Sequence, residues 1–246
     1  MAFTFNLSAP TTSTNNYLRA YNIYDNVAIK ATEIKEGTSA QGRNWKSLNI
    51  TFGNDEGIYN HSIFYVNLKD KNDLERRKFD MPNGGQRELA SNAETAMYTM
   101  AAIAHAFMPE YVDKLNEIIA KCGENFDKIA EAYKLMLDKV IDKNTTSMKL
   151  VGRNRDGVVY ATLPSCVGIA QAKDEKRAEM NGVNVGDWYT WMVSPFGKNL
   201  TFSAYERKQK QEMNNAKPTA MPDTPAFADT SDGVEDLADI NFDDIL

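Results

Sequence analysis

The sequence predicts a mostly β fold with a helical insertion, an antiparallel barrel followed by a disordered acidic tail. Three observations predict it. Strand-like runs occupy residues 27–68 and 147–203, three helical patterns lie between them, and the composition changes sharply after Lys217. The expected body is therefore 1–216, with the helical insertion over about 86–146, and the tail is 217–246.

The chain opens with a polar arm, residues 1–16, rich in Thr, Ser and Asn. Strand-like runs follow: VAIKATEI (27–34), WKSLNITF (45–52) and HSIFYVNL (61–68). The second alternates cleanly, with Leu48, Ile50 and Phe52 on one face and Trp45, Ser47, Asn49 and Thr51 on the other. That period of two describes a sheet with one buried and one wet face. In the third run, Tyr65 is assigned to the face opposite Phe64, Val66 and Leu68. EGTSAQG and GNDEG supply the turns, and the breaker at Pro82 to Gly85 ends the first strand group.

Three helical patterns come next. The first covers 87–108 and stops at Pro109; the second covers 110–121, with Tyr111, Leu115 and Ile118 or Ile119 on a stripe. The third, 124–142, lines up Phe126, Ile129, Tyr133, Leu137, Val140 and Ile141. Strand character returns at SMKLVGR (147–153), GVVYATLP (157–164), DWYTWMV (187–193) and KNLTFS (198–203), and a short helix over 205–214 closes the body. An OB-fold carries its helix between strands 3 and 4, the same point of the order, and here that helix is enlarged to three. An open α+β sheet satisfies the same order.

The sequence argues against several functions. GxxxxGK[ST], GxSxG, HExxH and a post-strand GxGxxG do not occur. His61 and His105 are the only histidines, so His-based catalysis or metal binding has little material. MPNGGQ reads as a plain turn rather than a phosphate cradle. Cys122 and Cys166 lie in separate segments without metal spacing and read as free thiols of a reducing compartment. The start of the chain lacks the n- and h-regions of a signal peptide, and its most apolar stretch, 97–108, is far short of the ~20 residues a bilayer requires. The expectation is a cytoplasmic protein that is not an enzyme, with no cofactor and no bound metal.

Charge is distributed unevenly. Eight of the 34 acids fall between Met221 and Leu246, where there is no Lys or Arg, leaving 26 acids against 28 Lys+Arg elsewhere. A weakly basic body with an acidic tail points to nucleic-acid contact or an interaction tail. Trp45 stands on a wet strand face beside Arg43 and Lys46, which suits stacking on an unpaired base. Tyr65 is the expected second stacking residue. Lys30, Arg43, Lys46, Arg76, Arg77, Arg153 and Arg155 are the expected phosphate contacts, from basic clusters that adjoin aromatic residues. KDEKR (173–177), ahead of Trp188 and Trp191, is a further cluster of that kind.

The tail ends GVEDLADINFDDIL, an acidic run tipped with Ile245-Leu246. Its Pro-rich, small-residue composition from Lys217 cannot bury enough surface to fold alone. The ending resembles the tails of bacterial and tailed-phage single-stranded DNA-binding proteins, although the bacterial ending is Pro-Phe rather than Ile-Leu. MKLVGRNRDGVVYATLP followed by NLTFSAYE is similar to the second half of such phage proteins. The resemblance implies an OB-fold that coats single-stranded DNA during phage replication and recombination in the cytoplasm of an infected host. It also implies a tail that recruits replication proteins, with Asp239, Asp243 and Asp244 matching the acidic run and Phe242, Ile245 and Leu246 the apolar positions. The rival expectation is a protein-interaction or assembly factor whose tail is the working part. Homo-oligomerisation is open under either reading.

Overall fold

Alternating apolar residues fold the first half of the body into a meander, and its first strand joins it to the second half. The structure, a computed structural model, describes residues 16–80, 86–155, 158–171 and 188–215. The expected tail residues Asp239, Phe242, Asp243, Asp244, Ile245 and Leu246 lie outside these, as do residues 1–15, most of MPNGGQ and KDEKR. Strands β1 (Asn22–Thr38), β2 (Asn44–Asn54) and β3 (Gly57–Phe64) pair antiparallel in sequence order. The later strands β6 (Thr146–Arg155) and β7 (Val158–Thr162) extend the sheet from the other side of β1, giving the order β3-β2-β1-β6-β7.

Two irregularities let β1 serve both halves. Its register with β6 shifts between Tyr24 and Val27, where Asn26 takes φ 55°. Its register with β2 shifts between Ile29 and Ala31, which leaves Lys30 as the extra residue. Bulges bend and twist a strand, so the N-terminal part of β1 follows β6 and the remainder follows β2.

Between β3 and β6 run α1 (Lys71–Leu74), a small hairpin β4 (Arg77–Asp80) and β5 (Gln86–Leu89), then α2 (Asn92–Phe107), α3 (Val112–Cys122) and α4 (Phe126–Asp138). Ser91 and Glu94 form a reciprocal capping box at the start of α2, and Pro109 follows its end. The apolar stripes of α2 and α4 cover the inner face of the sheet. Val27, Ile29, Leu48, Ile50 and Phe52 meet Met100, Ile103, Phe107, Ile129 and Leu137 in one core. Phe52, Phe107 and Phe196 cluster there with centroids 5.2–5.6 Å apart. The fully buried Tyr133 keeps its hydroxyl bonded to the Met100 carbonyl at 2.9 Å.

The fold is thus mixed α/β, with an antiparallel five-stranded sheet that does not close into the expected barrel. The start of the free edge of β3 is already taken: Ile58 donates to the Asn16 carbonyl and Leu18 donates to Ile58, each at 2.8 Å. Just past β7, Leu163 N–H donates to the Tyr59 hydroxyl of β3 at 3.0 Å, and among the described residues no ladder joins β3 to β7. Two further expectations change. KNLTFS is not a strand, because Gly197 (φ 121°) and Asn199 (φ 62°) turn the chain ahead of α5 (Ala204–Asn215). DWYTWMV does form β9 (Trp188–Met192), but it pairs with β8 (Val167–Gln171) in a separate two-stranded sheet. Among the described residues no helix is long and apolar enough to cross a membrane.

His61 points to the core side of β3, with Nδ1 3.0 Å from the Tyr59 hydroxyl, and burial pushes its pKa down to about 4. The unfolded chain takes up a proton below pH ~6.5 that the folded protein refuses, so stability falls as pH drops from there towards the folded value. The expected loss is about 2–3 kcal/mol. Thermal melts from pH 7.5 to 4.5 should show this slope in the wild type and a flatter one in His61→Gln. Equal slopes would remove His61 as the cause. Glu94 acts lower in the scale: burial alone would raise its carboxyl, but hydrogen bonds from Arg76 and Ser91 hold it below the usual range.

Candidate nucleic-acid interface

The outer face of the sheet follows from the strand registers. Gly37, Lys35, Glu33 and Ala31 of β1 stand opposite Trp45, Ser47, Asn49 and Thr51 of β2. Phe64, Ser62 and Asn60 of β3 complete the last three rows. Thr51 donates to Asn60 at 2.8 Å and Ser62 donates to Asn49 at 2.5 Å, so this surface is a ladder of neutral polar groups. In the same rows Lys35 and Glu33 of β1 neutralise each other at 3.0 Å.

Two aromatic rings crown one end. Trp45 and Phe64 meet edge to face with centroids 6.3 Å apart at 74°, and remain 38% and 58% exposed. Ser47, opposite Phe64 and two residues along from Trp45, is closed off from water, so the rings form a roof over that row. The indole also rests against Gly37, where a Cβ would come within 2.9 Å of Trp45 Cζ2. An aromatic ring covering a glycine across strands shields the bare backbone. Arg43 is exposed in the adjoining β1–β2 turn, its backbone N–H donating to Ser39 Oγ at 3.1 Å.

The Tyr65 expectation is corrected. Phe64 shares the outer face with Trp45, whereas Tyr65 follows the end of β3 and turns inward. Its ring packs edge-on against Phe126 at 5.4 Å and is capped by the Lys46 ammonium, 4.8 Å from the centroid. Burial raises its hydroxyl to about 12. The ring therefore lies off the face that carries Trp45. The parity was inverted because Ile63, Phe64 and Tyr65 are all apolar or aromatic, and Ile63 is the one that enters the core.

Several expected phosphate contacts are already paired. Lys30 holds Asp142 at 2.7 Å, and Lys46 holds Asp127 at 2.8 Å with Glu131 at 3.8 Å. The Asp127 hydrogen bond raises the Lys46 pKa further. Arg76 is a structural clamp: Nε lies 2.9 Å from both Glu94 carboxylate oxygens and Nη1 3.4 Å from Glu88, tying the β4–β5 hairpin to the α2 cap. Arg77 and Arg153 are exposed and, like Arg43, make no ion pair among the described residues. Arg155 stands opposite Val158 near the β6–β7 turn, and its side chain lies outside the described ones.

Arg153 stands directly across from Tyr160, which is 42% exposed. Tyr160 was missed as a site residue, although pairing Arg155 with Val158 places 160 opposite 153. An arginine and an exposed aromatic thus lie together at the β6–β7 end, as they do at the β1–β2 end. The outer side of β6 is partly covered by α5, where Lys149 meets Glu206 at 3.2 Å and lies 5.8 Å from the Phe202 ring.

No group of three or more His, Cys, Asp or Glu able to hold a metal occurs among the described residues. The chain matches no family model, no curated protein and no solved structure.

Proposed function

We propose that this is a single-stranded DNA-binding protein of the phage type, which coats unpaired DNA and recruits replication proteins through its acidic tail. The observation that carries the reading is the exposed Trp45–Phe64 pair on a neutral, polar sheet face with Arg43 beside it. Aromatic faces stack on any base, and such stacking needs unpaired strands. The Arg153–Tyr160 pair at the other end of β1 offers a second station of the same chemistry.

Topology supports an OB-related origin for the sheet. The order β3-β2-β1-β6-β7, a first strand shared between two halves and helices inserted after the third strand all follow that pattern. The Tyr59–Leu163 contact lies where a closed barrel would form its last ladder.

Because Lys30, Lys46 and Arg76 are occupied by carboxylates, stacking carries more of the affinity than phosphate neutralisation does. Three arginines without ion pairs among the described residues imply a slope of log K on log salt of about −2 for single strands, against about −5 for all seven expected cations. The test is anisotropy with labelled oligo-dT at several salt concentrations and a duplex control. A shallow slope with strong preference for the single strand is expected. Equal binding to duplex, or no binding at all, would overturn the reading.

The same occupied cations favour a second reading, a protein-interaction factor whose tail does the work and whose body binds no DNA. Absence of oligo-dT binding together with capture of a protein by the final 26 residues would select it.

A further inference from the structure

The outer face of the sheet continues past its polar ladder. One row beyond Thr51 and Asn60, Gly53 of β2 stands opposite Ile58 of β3. Tyr17 pairs with Ile58 from the other side, in a parallel bridge made by the two 2.8 Å hydrogen bonds at the start of the β3 edge. Residues paired in this way turn their side chains to the same face, and Ile58 shares the parity of Asn60, Ser62 and Phe64. Tyr17 therefore widens the outer face, while the next residue, Leu18, enters the core.

The Tyr17 ring is 40% exposed and makes no ring contact or hydrogen bond among the described residues. A Cβ on Gly53 would come within 3.1 Å of Ile58 Cγ2 and 3.3 Å of Lys30 Cγ, so Ile58 and the Lys30 stem flank a bare glycine. The result is a low apolar shelf beside Tyr17. Arg19, two residues on, is exposed and makes no ion pair among the described residues. The Tyr24 hydroxyl pins its backbone, accepting the Arg19 N–H at 2.7 Å and donating to the Arg19 carbonyl at 3.1 Å. An exposed ring with an arginine close by repeats the chemistry of Trp45 and Arg43. A stacked base needs the first and its phosphate the second.

Resting on the single-stranded DNA reading above, we infer that Tyr17 is a further base-stacking station and that Arg19 holds the phosphate beside it. The strand then follows β3 from the Trp45–Phe64 roof to Tyr17. Phe64 and Ile58 lie six positions apart on β3, a span of about 20 Å. At a stacked rise of about 3.4 Å that is about six nucleotides, and a stretched strand needs fewer. Asp55 and Glu56, exposed in the β2–β3 turn just before Ile58, repel a phosphate backbone and turn it off the sheet towards Arg19. Arg19 adds one cation to the three arginines counted above and steepens the expected salt slope by about 0.7.

The test is photocrosslinking of the full-length protein to an oligo-dT octamer with a single 5-iodo-deoxyuridine at one end or the other, the linked residues being mapped by mass spectrometry. One end should link to Tyr17 and the opposite end to Trp45 or Phe64. A length series gives a second readout. Affinity should climb until the oligomer reaches both stations, at about six nucleotides. Tyr17→Ala should weaken the octamer about fivefold or more and leave unchanged a trimer, which occupies the two-ring roof alone. Tyr17→Phe keeps the ring and should bind like the wild type. Arg19→Gln should make the salt slope shallower by about 0.7, and Asp55→Asn with Glu56→Gln should tighten the octamer. Retained hydrogen-exchange protection of the Leu18 amide in Tyr17→Ala ties the lost affinity to the ring rather than to a released edge.

Crosslinks from both ends confined to the roof, or reaching Tyr160 without Tyr17, would overturn the inference. So would equal octamer affinity in Tyr17→Ala and the wild type. Either result, with binding still dependent on Trp45, leaves the DNA reading standing. Absence of any oligo-dT binding removes both.

Discussion

Trp45→Ala should lower the affinity for oligo-dT by about tenfold or more, because base–aromatic stacking contributes about 1–3 kcal/mol per base. Phe64→Ala should weaken it by a comparable or smaller factor. The double variant should lose less than the sum, since the rings touch at 6.3 Å and each one sets the other's orientation. Stability is a separate readout. Both rings are substantially exposed, so neither removal opens the core. Losing the indole does uncover Gly37 and Ser47, and about 1 kcal/mol of stability should go with it. Anisotropy titrations alongside thermal melts keep the two effects apart. If all three variants fold and bind like the wild type, the aromatic roof is not the stacking platform.

The sequence made the wet side of β2 legible because WKSLNITF alternates without interruption, and every buried residue of that run except Ser47 was expected there. The helical stripes were equally clear, since Phe126, Ile129, Tyr133 and Leu137 can share a face only at helical spacing. HSIFYVNL was harder. Four consecutive apolar or aromatic residues fit either parity, and the strand ends at Phe64, so Tyr65 and Val66 no longer obey its alternation. The hairpin of β4 and β5 escaped because RKFD and QREL are too short and too polar to show a period.

The charge pattern was the least legible feature. Lys46 and Asp127 are 81 residues apart, and Lys30 and Asp142 are 112 apart. A local scan sees an unpaired lysine next to an aromatic residue and reads a phosphate contact. Only the fold brings α4 and the turn before β6 alongside the sheet and supplies the carboxylates. Arg76 illustrates the same point at shorter range, since Glu88 and Glu94 become its partners once the hairpin folds back.

Gly57→Ala should be the most destabilising single-methyl change in the sheet. Its φ of 153° lies where L side chains rarely go, and an added Cβ would come within 2.0 Å of the Asn16 carbonyl oxygen. That oxygen is backbone, and it accepts the Ile58 N–H at 2.8 Å, so it cannot move aside without breaking the edge pairing. The chain can relieve the clash only by releasing residues 16–18 from β3, which also exposes the buried Leu18. Backbone strain and overpacking of this kind cost about 1–3 kcal/mol each, so a total of about 3 kcal/mol or more is expected. For a body of this size that corresponds to a fall of roughly 6–12 °C in the melting midpoint. Gly123→Ala is the control: φ is 58° there, but nothing lies within 4 Å of the new Cβ. Only the conformational penalty applies, about 1–3 kcal/mol for a backbone at φ 58° and ψ −121°. Hydrogen exchange at the Ile58 and Leu18 amides locates the damage, because both should lose protection in Gly57→Ala and keep it in the control. Equal midpoints for the two variants would mean that residues 16–18 do not hold the edge of β3 in solution. The start of that edge would then be free for the ladder with β7 that closes a barrel.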